Sequence, residues 1–154
     1  MKDTSILFEL LLKLSTLTDM KKLQASGRKV IHGNRGFIAQ KKLIELRLSN
    51  NKIFKVTNST FDGLKTVTIL SLRKNFIEEL SDKIFIGLGS VEELDLGQNR
   101  IRDIGSETFQ GLDHLRVLYL DDNDLQQVPS EALEALPHLA ELNLALNNIK
   151  EISR

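Results

Sequence analysis

Apolar positions recur along this chain with one long period. Asn51, Asn75, Asn99, Asn123 and Asn147 are each separated by 24 residues. Leu46, Leu70, Leu94, Leu118 and Leu142 keep that step, as do Leu48, Leu72, Leu96, Leu120 and Leu144. Further columns are Leu43, Val67, Val91, Leu115, Leu139; Ile53, Ile77, Ile101, Leu125, Ile149; and Val56, Leu80, Ile104, Val128, Ile152. Phe61, Phe85, Phe109 and Leu133 form another column, followed by Leu64, Leu88, Leu112 and Leu136. In segments such as Leu94-Asp95-Leu96 an apolar residue alternates with a polar one, which predicts a short strand with one face buried. About 18 residues then remain before the next strand, enough for the crossover that parallel strands require. The chain is expected to coil, one strand per turn, with strands stacked about 4.8 Å apart.

Each predicted turn buries Leu, Ile and Phe against the turns on either side, at roughly 1.5–3 kcal/mol per large side chain. The Asn column answers a different need. After each strand the chain turns inward and buries backbone groups that no sheet partner can satisfy. An Asn side chain carries two donors and an acceptor, and is expected to bond the backbone of its own turn and of the next repeat. Ahead of the repeats, Ile6, Leu7, Leu10, Leu11, Leu14 and Leu17 follow helical spacing, so residues 4–18 read as a short amphipathic helix. Glu9 and Lys13 interrupt the apolar run that a secretory signal needs. No stretch approaches the roughly 20 apolar residues of a membrane span.

The pattern L-x-x-L-x-L-x-x-N-x-I-x-x-I-x-x-x-x-F-x-x-L resembles the leucine-rich repeat in its 24-residue form. The resemblance covers residues 41–154, five repeats of which the last is incomplete. Residues 20–40 read as a degenerate repeat: Met20, Leu23, Ala25 and Val30 fit with a one-residue shift, and Arg28 then takes the Asn place. Residues 1–19 are left as an N-terminal helix or cap. The resemblance implies an α/β solenoid, with a parallel sheet on the concave face and loops, 3-10 turns or short helices on the convex face. It also implies a protein-binding module. The Phe column resembles extracellular and cell-surface members of the family (receptors, adhesion and matrix proteins), and the alternative is an intracellular scaffold or regulatory subunit.

Composition narrows the chemistry. Twenty-one basic and 21 acidic residues cancel, which argues against a nucleic-acid partner. There is no cysteine, so neither a disulfide framework nor a thiolate metal site is available. His114 and His138 are 24 residues apart and should stack in neighbouring turns, but no third and fourth metal ligand accompanies them or the pairs Glu92-Glu93 and Asp121-Asp122. No nucleophile elbow or phosphate-binding loop occurs. No catalytic residue, metal or cofactor is therefore expected, and the chain is read as a binding protein rather than an enzyme.

Strand residues between the ladder leucines have no core role, so binding specificity is expected there. The candidates are Glu45, Arg47, Arg73, Lys74, Glu93, Asp95, Tyr119, Asp121, Asp122 and Asn143. Basic side chains fall in the first two full repeats and acidic ones in the next two, predicting a face with a basic half and an acidic half. Its extent, about 24 Å by 13 Å, is on the order of 300 Å², against about 800 Å² per partner in a standard interface. These repeats alone would then bind weakly, or a protein ligand also grips the flanks, or this is a partial chain of a longer solenoid. Asn58-Ser59-Thr60 is a sequon that would permit a glycan at Asn58. The last repeat carries no polar cap, which leaves an edge open to self-association.

Overall fold

The computed structural model describes Lys22–Gln24, residues 43–56, Asn58 and residues 60–150. The expected N-terminal helix, most of the degenerate repeat and Ile152 lie outside the described residues. Six three-residue strands form one parallel sheet: β1 (Lys22–Gln24), β2 (Glu45–Arg47), β3 (Ile69–Ser71), β5 (Glu93–Asp95), β7 (Val117–Tyr119) and β8 (Glu141–Asn143). The register is in phase with the sequence period: Leu46 lies beside Leu70, Leu70 beside Leu94, Leu94 beside Leu118, and Leu118 beside Leu142. Leu23 lies beside Leu46, a separation one residue shorter than the rest. On the return path, β4 (Glu79–Leu80) and β6 (Asp103–Ile104) make a second, two-stranded parallel sheet.

The apolar columns line the interior. Leu46, Leu70, Leu94 and Leu118 have no exposed surface, and the same holds for Ile77, Ile101, Val67 and Val91. Phe61, Phe85 and Phe109 form a spine through the return segments, with ring centres 6.1 and 6.2 Å apart and planes within 18°. That offset geometry lets each ring fill the space between turns, and aromatic pairing adds about 0.5–1.5 kcal/mol per contact beyond burial. Where Leu133 replaces Phe, the return segment forms a single helical turn, α1 (Ser130–Leu133), which buries Ala132.

The Asn column works as a backbone clamp, in the opposite direction along the solenoid from the one expected. The Asn75 Nδ2 donates to Leu72 O (2.8 Å) in its own turn and to Leu48 O (3.0 Å) in the preceding repeat. Its Oδ1 accepts from the Ile53 N–H (3.0 Å), also in the preceding repeat. Asn99 and Asn123 repeat the arrangement on Leu72 O and Ile77 N, and on Leu96 O and Ile101 N. Asn147 does so on Leu120 O and Leu125 N. The reason lies in the handedness of the turn: the chain bends inward just after Asn, so the side chain reaches back over the loop already laid down.

The turn itself is a second departure from expectation. Lys74 and Asp122, read from the pattern as strand residues, instead sit in the left-handed region (φ 58° and 55°), as do their counterparts Asn50 (57°), Gln98 (52°) and Leu146 (57°). The strands are three residues long, and this position is where the backbone reverses. A side chain there meets the following carbonyl at a cost of about 1–2 kcal/mol, tolerated because the clamp and the flanking ladder bonds leave no other path.

Two outcomes follow for stability. Asn99→Ala leaves the Ile77 N–H unpaired in the core and removes one of the two Asn donors from each of Leu72 O and Leu96 O, which keep Asn75 and Asn123; it should lower the unfolding free energy by about 2 kcal/mol, read from the urea midpoint. Gln98→Gly relieves the left-handed strain and loses only an exposed side chain, so it should raise stability by about 0.5–1 kcal/mol in the same measurement.

Candidate functional site

Strands β2, β5 and β7 present their first and third residues to the open face of the sheet. These residues are half-buried in β2, β5 and β7, while the leucine between them is fully buried. The sheet brings Glu45, Arg47, Glu93, Asp95, Tyr119 and Asn143 onto this face. Arg73 and Asp121 follow two residues after β3 and β7, and Lys74 and Asp122 are carried outward on the left-handed turn at the rim. The pairs Glu92-Glu93 and Asp121-Asp122 are each split between environments: Asp121 is 8% exposed, whereas Asp122 is fully on the rim.

The expected division into basic and acidic halves is not what the fold produces. Arg73 extends across the neighbouring turn and makes a forked pair with Asp121, two repeats away in sequence: Nη2 to Oδ2 at 2.6 Å and Nη1 to Oδ1 at 3.1 Å. Nη1 also donates to Asp95 Oδ1 at 3.2 Å. One of the three cations of the basic half is thus bound into the acidic half. The cause is Gly97, which occupies the same column between Arg73 and Asp121. A Cβ at this position would collide with the Arg73 Nη1 and come within 2.8 Å of the Asp121 Oδ1. The absence of a side chain opens the lane that the guanidinium takes.

The network continues along the strand ends. Asp95 Oδ1 accepts from the Gly97 N–H (3.0 Å), and Asn143 Oδ1 accepts from the Ala145 N–H (3.1 Å). These side chains satisfy the first free donor after each strand, so Asn143 is tied to its own turn. Ser71 Oγ reaches Asp95 Oδ2 at 3.4 Å and shares a 2.8 Å hydrogen bond with Ser49 Oγ. Arg47 pairs with Glu45 at 3.5 Å, 40% exposed, a weak surface contact.

The electrostatics follow from these contacts. The guanidinium of Arg73, bonded to the carboxylate, holds Asp121 below its ordinary range despite burial. Arg73 is itself held further in its charged form, chiefly by the bond to Asp121. Loss of water around its ring, then the carboxylates of Glu93, Glu141, Asp95 and Asp121, push the Tyr119 phenol above its ordinary 10.0. Tyr119 therefore sits in negative potential.

Elsewhere, the rings of His114 and His138 stack at 6.4 Å, as their spacing predicts, and border a groove with Glu92 and Arg116 at the starts of β7 and β8. The His114 Nδ1 lies 2.7 Å from Gly89 O. The imidazole occupies the place where Ser90 bonds Lys65 O at 2.7 Å one turn earlier, so its role there is to tie adjacent return segments. Among the described residues, no group of three His, Cys, Asp or Glu side chains is arranged to hold a metal ion. Asn58 is exposed on the return segment, with its Nδ2 3.4 Å from Asp82 O.

Gly97, Val117 and Glu141 lie in the open-face columns of the sequence, but the candidate set leaves them out. A glycine in a column otherwise holding Ser, Arg, Asp and Ala was the available signal for Gly97, since an empty position between opposite charges lets them meet.

The Arg73 bridge has a pH signature. Because the Asp121 pKa is lowered in the folded state, the unfolded chain binds more protons on acidification. The stabilisation is fully present above the ordinary 3.8 and is lost as pH falls through the lower folded value. Gly97→Ala should break the fork, cost about 1 kcal/mol at neutral pH, and return Asp121 toward 3.8. NMR titration of the Asp121 carboxyl, with urea midpoints taken on both sides of that pH, checks both effects.

Comparisons with known proteins agree with this geometry. The family model for the leucine rich repeat matches residues 41–101, 65–125 and 113–154. No curated protein matches the chain. Among solved structures, it is similar to TLR13 in a complex with ssRNA13, at 30% identity and TM-score 0.67, over 70% of this chain and 15% of that one. It is similar to Toll of Drosophila, from a Toll–Spatzle complex, at 33% identity and TM-score 0.65, over 71% of this chain and 16% of that one. It is also similar to the internalin InlF of Listeria monocytogenes, at 27% identity and TM-score 0.58, over 72% of this chain and 31% of that one. The chain thus spans about a sixth of the length of the two receptor chains. With the 24-residue ladder, the Asn clamp and the matched family model together, this protein belongs to the leucine-rich-repeat family.

Proposed function

We propose that this chain is the ligand-binding portion of an extracellular or cell-surface receptor, adhesion or matrix protein, and that it holds a protein ligand on the concave face of its sheet. The observation that carries this reading is the open face itself. It is a row of non-ladder side chains, half-buried in β2, β5 and β7, with no other element of the described chain laid over it. Such a surface costs nothing in core packing to vary, so its side chains are available for recognition. Receptor chains among the similar structures support the extracellular context, one of them solved with the protein Spatzle. The exposed sequon at Asn58 is compatible with it.

A protein ligand fits the charge better than a nucleic acid does. Carboxylates of Glu45, Glu93, Asp95, Asp121, Asp122 and Glu141 outnumber the cations Arg47, Arg73 and Lys74 on this face and its rim, and phosphates would be repelled. The face is smaller than a standard interface of about 800 Å² per partner, so the ligand also contacts the flanks or further repeats.

Two measurements test this. When the chain is passed through a eukaryotic secretory pathway, Asn58 should acquire an enzyme-removable glycan, lost in Asn58→Gln and in Thr60→Ala; an unmodified secreted chain would count against the extracellular placement. Screened against an array of secreted and cell-surface ectodomains, the chain should bind a ligand whose affinity falls about tenfold or more in Arg47→Glu/Tyr119→Ala. The return-segment variant Lys83→Glu/Arg102→Glu should leave that affinity unchanged. The reverse pattern would move the binding surface off the concave face.

A further inference from the structure

The concave face is not evenly charged once its internal pairs are accounted for. Arg73 neutralises Asp121 and shares Asp95, and Arg47 lies against Glu45. Glu93 and Glu141 have no ion-pair partner among the described residues. They are not independent of each other: the register places Val117 directly between them, Glu93 on one side and Glu141 on the other. Two strand spacings separate them, about 10 Å between backbones. Tyr119, two residues along the same strand, lies beside Asp95 and Asn143. Both Val117 and Tyr119 are half-buried.

From this arrangement we infer that strands β5, β7 and β8 form a docking notch for a lysine-rich segment of the protein ligand, with a lysine stem lying along Val117 and Tyr119 and its ammonium held by Glu93 and Glu141. A lysine presents a four-carbon apolar stem and a compact charge. An aliphatic and aromatic floor between two uncompensated carboxylates matches both parts at once. The ring of Tyr119 offers a face to a cation within reach of the same carboxylates, and its phenol is raised first by loss of water around the ring and then by Glu93 and Glu141. An anionic or purely apolar ligand would leave Glu93 and Glu141 desolvated and unpaired, which is costly. Arg73 strengthens the selection: three of its five N–H donors are already bonded to Asp121 and Asp95, and its charge is compensated there, so it attracts an incoming acid less.

This inference rests on the concave-face reading, and its test separates the two. The chain contains one Tyr and no Trp, so intrinsic fluorescence reads Tyr119 directly. The full chain is titrated with a short lysine-rich peptide, with its glutamate counterpart and with a single-stranded RNA oligonucleotide. Anisotropy of a dye on each probe and the Tyr119 emission are followed together. The lysine-rich peptide should bind and perturb Tyr119, and raised salt should weaken it. Glu93→Gln/Glu141→Gln should reduce affinity about tenfold with the urea midpoint unchanged. Glu78→Gln/Glu107→Gln, which removes the same charge from the return segments, should reduce it far less. Equal loss in both double variants, no response at Tyr119, or preference for the glutamate peptide or RNA would overturn the notch. If an ectodomain ligand is lost in Arg47→Glu/Tyr119→Ala but keeps its affinity in Glu93→Gln/Glu141→Gln, the concave face stands and the cationic occupant falls.

Discussion

One constraint governs the molecule: every turn of the coil bends its backbone into the core directly after a three-residue strand, and the polar groups it buries there must be satisfied. The sheet ladder cannot do this alone, because its bonds run on only to the residue before each Asn, as from Lys74 N–H to Gly97 O. The Asn side chain supplies what is missing, donating to carbonyls of two successive turns and accepting an amide of the earlier one. Since Asn75, Asn99, Asn123 and Asn147 each tie their repeat to the one before it, the clamp also sets the register. A slip of one residue would bury the wrong strand face and leave the carbonyls unpaired. The left-handed residue ahead of each Asn is the cost of that bend, carried even by Leu146 and Lys74.

With register set by polar bonds, the apolar columns need only fill space. Leu, Val and Ile stack on their counterparts in the neighbouring turns, and the Phe spine keeps the return segments parallel to the sheet at ring spacings near 6 Å. The spine's end at Leu133 coincides with the short helix α1, where a smaller side chain lets the backbone close around Ala132. Stability in such a coil is a sum of neighbour-to-neighbour terms. A weakened clamp is therefore felt mainly by the two turns it joins.

The open face inherits its character from this scaffold. Because identical positions in successive turns lie about 4.8 Å apart, a long side chain can reach its second neighbour wherever the intervening residue is small. Arg73 does so across Gly97. That contact converts an apparent bipolar surface into a compensated centre, with uncompensated carboxylates to one side of Val117 and the other. The charge balance of the whole chain, which is zero, conceals this local excess.

Much of the architecture was legible in the sequence because the period does the work of an alignment: Leu46, Leu70, Leu94 and Leu118 had to be adjacent rungs, and the Asn column had to face inward. The division of the face into candidate and ladder residues followed from strand alternation alone. The direction of the Asn bonds was not legible, since spacing is the same read forwards or backwards and only the hand of the turn decides it. The left-handed position was hidden as well, because Asn, Lys, Gln, Asp and Leu share no chemistry that marks it. Arg73 reaching Asp121 depends on side-chain length, on the rise between turns and on an empty place at Gly97. Periodicity determined which residues become neighbours; the three-dimensional coil decided which of those neighbours compensate each other's charge and which are left uncompensated.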